Sequence, residues 1–353
     1  MLGLMGSTTL PSSVEGQAGE QQLAGLARRE GPAARVQRVL HAHPALGPFM
    51  VLVVSCLVFG LLNSRFLTTT NISLMLQQVA VIAALGVGQT LIILTAGIDL
   101  SIGYAMVLSL LVMAKVSSEH NVPGPLALLL GFAVAMGTGA VNGTLITRLR
   151  VPPFIATLGM LFIFQSSGLL YANGQTTQAA AMPSILNWTG RPVSIGPFDL
   201  INGVLVVAVL YLVVNYVMNQ TTWGRHVYAV GDDVEAARLA GIRTSRVLFS
   251  VYVFAGLVVG VAGWISIGYA GAADPNNAVD ANLQSITAVV IGGTSLFGGR
   301  GGVIGTLFGA LIVVAFTSGL TLANVNDLYQ PMAEGVLVIA AVAVDQWIRR
   351  VKP

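Results

Sequence analysis

Residues Gly86–Gly103 read GVGQTLIILTAGIDLSIG, an apolar run whose single charge, Asp99, stands between Gly97 and Ser101. A carboxylate near the hydrocarbon core of a membrane costs about 2.5–3.5 kcal/mol, so it needs a partner or a purpose. Its place in the run marks a tight junction between two membrane spans. Outward from it, apolar runs of about 17–25 residues, long enough to cross about 30 Å of hydrocarbon, recur along the chain. They fall at 46–64, 72–95, 98–114, 124–147, 153–172, 199–218, 247–269, 282–298, 302–322 and 328–348. The expected fold is an all-α polytopic membrane protein of about ten transmembrane helices, with the second/third and eighth/ninth pairs tightly joined.

Composition agrees. Of 353 residues 55% are hydrophobic and 9% charged, where an ordinary globular domain has about 25% charged. Seventeen basic and fourteen acidic side chains cannot cover a soluble fold of this size, and the mean hydropathy is +0.80. A cytoplasmic enzyme, a secreted disulfide scaffold and a disordered protein are excluded. Cys56 is the sole cysteine and lies in an apolar run, so neither an internal disulfide nor a cysteine-based metal site is possible. The pI near 9.2 does not point to nucleic acid, because the basic residues form no interleaved patch.

They mark topology instead. With the N-terminus in the cytoplasm, the inner segments hold fourteen basic residues, from Arg28 to Lys352, and the outer ones three, Arg65, Lys115 and Arg191. Both termini are therefore expected in the cytoplasm. Residues 1–43 read as a disordered cytoplasmic tail. The run after it is too long for a signal peptide and lacks a small-residue cleavage site, so a retained first helix is expected. Residues 44–353 form the transmembrane domain. Its largest outer loop, 173–198, is polar without being highly charged, and its largest inner loop is 219–246.

Several chemistries find no residues. No phosphate-binding loop sequence occurs, and the only lysines are Lys115 and Lys352. His41, His43, His120 and His226 all lie outside the expected spans, which argues against a metal site or a Ser/His dyad in the membrane. Asp99 has no second aspartate at comparable depth. An enzyme is not expected, and no cofactor of its own.

Three segments carry information. Around Asp99, with Gly97 and Ser101, the sequence supports a hinge or gate, or simply a cap on the third helix; the two are compatible. The inner loop reads GRHVYAVGDDVEAARLAGIRTSR, Gly224–Arg246. Asp232 with Glu235 makes a capping box, and Gly241 suits a helix C-terminus. A helix of two turns, about 12 Å long, is expected over 233–240, slim at Ala236, Ala237 and Ala240. It suits docking into a groove on a partner, or merely joins two spans. The third segment, VVIGGTSLFGGRGGVIGTLFGAL, Val289–Leu311, is dense in glycine, which allows close backbone approach or a broken helix. Gly305/Gly309, Gly256/Gly260 and Gly139/Gly143 are small-xxx-small pairs. AGIDL (Ala96–Leu100) and GGTSL (Gly292–Leu296) sit at corresponding tight inner turns.

LTAGIDLSIG (Leu94–Gly103), VPPFIATLGM (Val151–Met160), the loop Gly224–Ile242 and the segment Val289–Leu311 together resemble the permease subunits of bacterial ATP-binding-cassette (ABC) importers for sugars, of the ribose/xylose/galactose type. The resemblance runs from about residue 46 to residue 348. It implies a homodimeric pore in the bacterial inner membrane, a separate cytoplasmic ABC ATPase that binds the ATP, and an extracytoplasmic sugar-binding protein. On it, 233–240 is the coupling helix, with Asp232, Asp233, Glu235, Ala236, Ala237 and Gly241 as the ATPase-coupling residues. Gly97, Asp99, Ser101, Gly292 and Gly293 are then gate or hinge candidates. Where that family commonly carries acidic residues before the glycine-rich segment, this chain has Asn282, Leu283 and Gln284; neutral amides still bond hydroxyls, which leaves the substrate open.

Gln77, Gln78, Gln89, Asn142, Thr157, Gln165, Asn282 and Gln284 are uncharged polar residues at or near membrane depth and are candidates for the pathway of a hydroxylated solute, each also able to bond a neighbouring helix. A proton-coupled secondary transporter is the alternative, with Glu334 its one plausible carrier. A non-transporting scaffold would not need polar residues inside its helices.

Overall fold

A computed structural model of the chain describes residues 45–276, 279–336, 339 and 343. The expected tail, both termini and about half of the tenth span lie outside them. Eleven helices and four short strands follow in order, beginning with α1 (Leu46–Leu62), α2 (Thr69–Leu94), α3 (Ile102–Ser118), α4 (Gly124–Thr147) and α5 (Pro153–Ala172). Next come β1 (Thr177–Gln178), β2 (Pro192–Ile195), β3 (Phe198–Ile201), α6 (Asn202–Gln220), α7 (Thr222–Asp232), α8 (Val234–Leu239) and α9 (Thr244–Ala270). The series closes with β4 (Ala272–Ala273), α10 (Val279–Ile291) and α11 (Val303–Leu322), and residues 330–336 are again helical.

The helix ends follow local chemistry. Thr68 caps α2 by accepting from the Asn71 N–H, and α2 runs 26 residues, about 39 Å. Prolines at the first turns of α4 and α5 occupy positions whose N–H would be unbonded anyway. Asn173 (φ 51°) and Gly271 (φ 65°) stop α5 and α9 in the left-handed conformation.

Six of these helices, α2, α4, α5, α6, α9 and α11, are long and apolar enough to cross a membrane. Three apolar helices are shorter: α1, α3 and Ala281–Ile291 within α10. Two expected boundaries are corrected. The third span begins at Ile102 rather than 98, and the eighth stops at Ile291 rather than 298. Ala96 at φ 58° and the run of left-handed glycines Gly293, Gly298, Gly299 and Gly301 break the helix that the apolar runs alone suggested.

The all-α expectation is also modified. β1 pairs antiparallel with β4, and β2 with β3 as a hairpin in register Pro192↔Ile201 to Ile195↔Phe198. The polar look of 173–198 concealed it: Val193, Ile195, Leu200 and Ile201 supply the β-forming residues, and Gly196 (φ 60°) the turn. This end of the molecule meets the end of α9, where Gly190 packs on Gly268 and Trp188 stacks on Trp264. The 219–246 segment lies at the start of α9.

α2 is the centre, buried without interruption from Val79 to Leu94 by α6, α9, α10 and α11. Lipid tails are as apolar as leucine, so this burial gains little from the hydrophobic effect; close packing and small residues hold such a bundle. The predicted pairs supply it. Gly139 and Gly143 of α4 pack on Tyr252 and Phe249 of α9, and Gly256 and Gly260 of α9 on Ala135 and Phe132 of α4, so closely that a Cβ on Gly139 would overlap the Tyr252 carbonyl. Gly305 and Gly309 of α11 lie likewise on Gly292 and Ala288.

Candidate functional site

The chain leaves α2 at Leu94 and re-enters helix at Ile102, and residues 95–101 between them are held by side chains from three helices. Ser101 donates to Asp99 Oδ1 through both its N–H (2.7 Å) and its hydroxyl (2.6 Å). From α4, Asn142 Nδ2 donates to Asp99 Oδ2 (3.1 Å) and to Ser101 Oγ (2.9 Å). From α5, Thr157 Oγ1 donates to the Ile98 carbonyl (3.1 Å) and accepts from the Leu100 N–H (3.2 Å). From α10, Asn282 Nδ2 donates to the Leu100 carbonyl (2.7 Å). Asp99, Ser101, Asn142, Thr157 and Asn282 are all buried. Asp99 does stand at the start of α3, where the helix dipole and free N–H groups favour an anion, and it also ties α3 to α4.

The second break, residues 292–302, interlocks with the first. The Gly299 N–H donates to the Leu94 carbonyl (3.0 Å), satisfying one of the free carbonyls at the end of α2. A Cβ on Gly298 would lie 2.9 Å from the Ala96 nitrogen. Gly292 is packed on the Gly305 backbone, and Gly293 turns left-handed at φ 81°. Ala96 itself is left-handed (φ 58°), a conformation that costs alanine about 1–2 kcal/mol, so the surrounding contacts hold the turn.

Against both breaks lies α7, a helix that sequence reasoning missed. Thr221 caps it by accepting from the Gly224 N–H (3.2 Å), and its buried face is Gly224, Val227, Val230 and Gly231. Trp223, Val227 and Val230 at helical spacing are the signal that could have revealed it; two glycines and the charges obscured it. Gly231 is wedged between the breaks: a Cβ there would overlap the Leu94 carbonyl and sit 2.7 Å from the Gly299 nitrogen. Gly299 in turn faces Asp232, whose Cα a Cβ would approach to 2.8 Å. Tyr228 donates to the Gly301 carbonyl (2.9 Å); burial pushes its hydroxyl above the usual tyrosine range, which keeps it a donor.

α8 follows directly, six residues and about 9 Å long rather than two turns. Its cap is Asp233, whose Oδ1 accepts from the N–H groups of Glu235 (2.9 Å) and Ala236 (3.0 Å). Asp232 ends α7 instead, and Glu235 pairs with Arg238 (2.8 Å) rather than closing a capping box. Gly241 (φ 83°) ends the helix as expected. Only Ala237 of α8 is buried; Val234, Glu235, Ala236 and Leu239 face outward. So short a helix depends on its cap. Asp233→Ala is expected to lower local stability by about 0.5–2 kcal/mol, seen as faster hydrogen exchange at the Glu235 and Ala236 amides with α9 unaffected.

The pathway candidates divide. Asn142, Thr157 and Asn282 hold the 95–101 break. Gln77 donates to the Asp199 carbonyl (2.9 Å) at the other end of α2. Gln89 is fully buried within the bundle, and neither of its amide atoms has a partner among the described residues. Gln78, Gln165 and Gln284 are half-buried. Among the described residues no cluster of three or more His, Cys, Asp or Glu could hold a metal ion.

The family model described as "Branched-chain amino acid transport system / permease component" matches residues 71–342, which take in all four motif segments and both breaks. The chain belongs to this permease family. Its relatives include the fructose import permease protein FrcC of Rhizobium meliloti, 46% identical over 90% of this chain and 89% of the relative. The ribose import permease protein RbsC of Bacillus subtilis (strain 168) is 36% identical over 85% of the permease and 92% of the relative. The D-allose transport system permease protein AlsC of Escherichia coli (strain K12) is 32% identical over 86% and 92%. The family description names amino acids, but these near-full-length relatives place the permease in the sugar ABC importer branch, the ribose/galactose/fructose type. It is a multi-pass protein of the inner membrane. No solved structure matches the chain.

Proposed function

We propose that the permease, paired with a second copy, forms the translocation pathway of an importer for a sugar, driven by ATP on a separate cytoplasmic ATPase and supplied by an extracytoplasmic sugar-binding protein. The observation that carries this reading is Gly231, seated between the Leu94 carbonyl and the Gly299 nitrogen one turn before the exposed α8. A push on α8 by the ATPase has a rigid route through α7 to both helix breaks. α8 is the coupling helix, with Asp233, Glu235, Ala236 and Gly241 shaping its surface. Gly97, Asp99 and Ser101 form one gate turn, and Gly292 and Gly293 open the other. Ten spans with both ends inside accord with the basic residues, and ATP is bound by the partner, not by this chain.

The uncharged amides in the bundle favour a hydroxylated solute over a charged one, and the fructose relative makes fructose the first sugar to test. Proton coupling is the weaker reading, because the Glu334 carboxylate accepts from Thr317 (2.9 Å) and Asp99 already accepts from Ser101 and Asn142 at the turn. Uptake of labelled fructose, ribose and allose in cells carrying or lacking the permease tests the proposal. Uptake of one of them that stops on ATP depletion and survives collapse of the proton gradient is expected; the reverse sensitivity would favour secondary transport.

A further inference from the structure

Beside the first break, α2, α3, α4 and α9 line a small pocket of about 10 Å³ whose polar lining includes Asp99, Ser101, Asn142 and Tyr252 among apolar residues such as Ile92, Ala105 and Val259, room for one water. The four are between 0% and 4% exposed. Two of their polar atoms, Asn142 Oδ1 and Tyr252 Oη, have no hydrogen-bond partner among the described residues. Tyr252 Oη stands over the break itself, 3.0 Å from where a Cβ on Gly97 would lie. Two residues lining the same pocket thus hold a hydroxyl that can donate and an amide oxygen that can only accept, both unpartnered, and Asp99 lines it too.

We propose that this cavity is a binding site for a single water, which accepts from Tyr252 and donates to Asn142 and Asp99, joining α9 to the 95–101 break. A cation fits less well. The Asp99 carboxylate is already met by the Ser101 N–H, the Ser101 hydroxyl and the Asn142 amide, and the start of α3 offsets its charge. A metal ion also asks for several oxygen ligands, which Tyr252 and Asn142 alone do not add. A water can exchange partners as helices shift, so α9, which continues from the coupling segment, can move against the break without stranding a buried polar group. That role rests on the gate proposed above; the site itself does not.

The test is a density map of the wild-type permease at a resolution that shows waters, beside one of Tyr252→Phe, with a melting-temperature cycle of Tyr252→Phe, Asn142→Ala and the double variant. A solvent peak bridging Tyr252 and Asn142 or Asp99, lost in Tyr252→Phe, together with non-additive melting shifts, is expected. Tyr252 Oη bonded to a protein carbonyl with no peak between the residues, or additive shifts, would overturn it. So would a peak that strengthens when thallium replaces sodium, which marks an ion. None of these readouts needs an ATPase, so a failure of the coupling reading leaves them intact.

Discussion

Gly231→Ala should cut sugar uptake at least tenfold while the permease still inserts, folds and carries its exposed α8 unchanged. The added methyl has no room: it would overlap the Leu94 carbonyl and press on the Gly299 nitrogen, both of them backbone that no rotamer change can move. Overpacking of this kind costs about 1–3 kcal/mol, enough to shift a two-state gate by one to two orders of magnitude at 1.4 kcal/mol per tenfold. Uptake per molecule of membrane-inserted protein measures it. Full activity in Gly231→Ala would show that the α7 contact is packing without a role in transport.

Asp99→Ala should be the most destabilising single change in the 95–101 break. It leaves the Ser101 N–H and the Ser101 hydroxyl without their acceptor and takes one of two acceptors from the Asn142 amide, in a place that water does not freely reach. At about 1–3 kcal/mol for each stranded group, a loss of about 3 kcal/mol or more is expected, read as a lower melting temperature in detergent and low yield from the membrane. Asp99→Asn keeps one oxygen for Ser101 and should recover at least half of the loss. Equal melting of wild type and Asp99→Ala would mean that the break is held by Thr157 and Asn282 alone.

The apolar runs, the tight junctions and the small-xxx-small pairs were legible because each depends on local spacing. Helix ends were less so: the two helix breaks turn where a backbone angle becomes positive at Ala96 and Gly293, and hydropathy carries no trace of that. α7 was hidden by Gly224 and Gly231, which read as loop residues although both are there for close contact. Asp233 rather than Asp232 caps α8 because α7 consumes Asp232 as its last residue, so missing one helix displaced the next cap. Gln89 and Asn282 look alike as polar residues in apolar runs. That Asn282 reaches Leu100, 182 positions away in the chain, is a fact of packing that spacing cannot supply. The neutral amide also gains a physical reason: it donates to a carbonyl, which an ionised acid at 282 could not do.

The most direct test of the central claim, that α8 docks a separate ATPase whose motion reaches the gate, is co-purification of the tagged permease from its native membrane. Wild type is compared with the double variant Glu235→Arg/Gly241→Trp. The account predicts that an ABC ATPase comes down with wild type and is lost from the double variant, although the variant remains folded and inserted. An ATPase that binds both equally, or none with wild type, would contradict it.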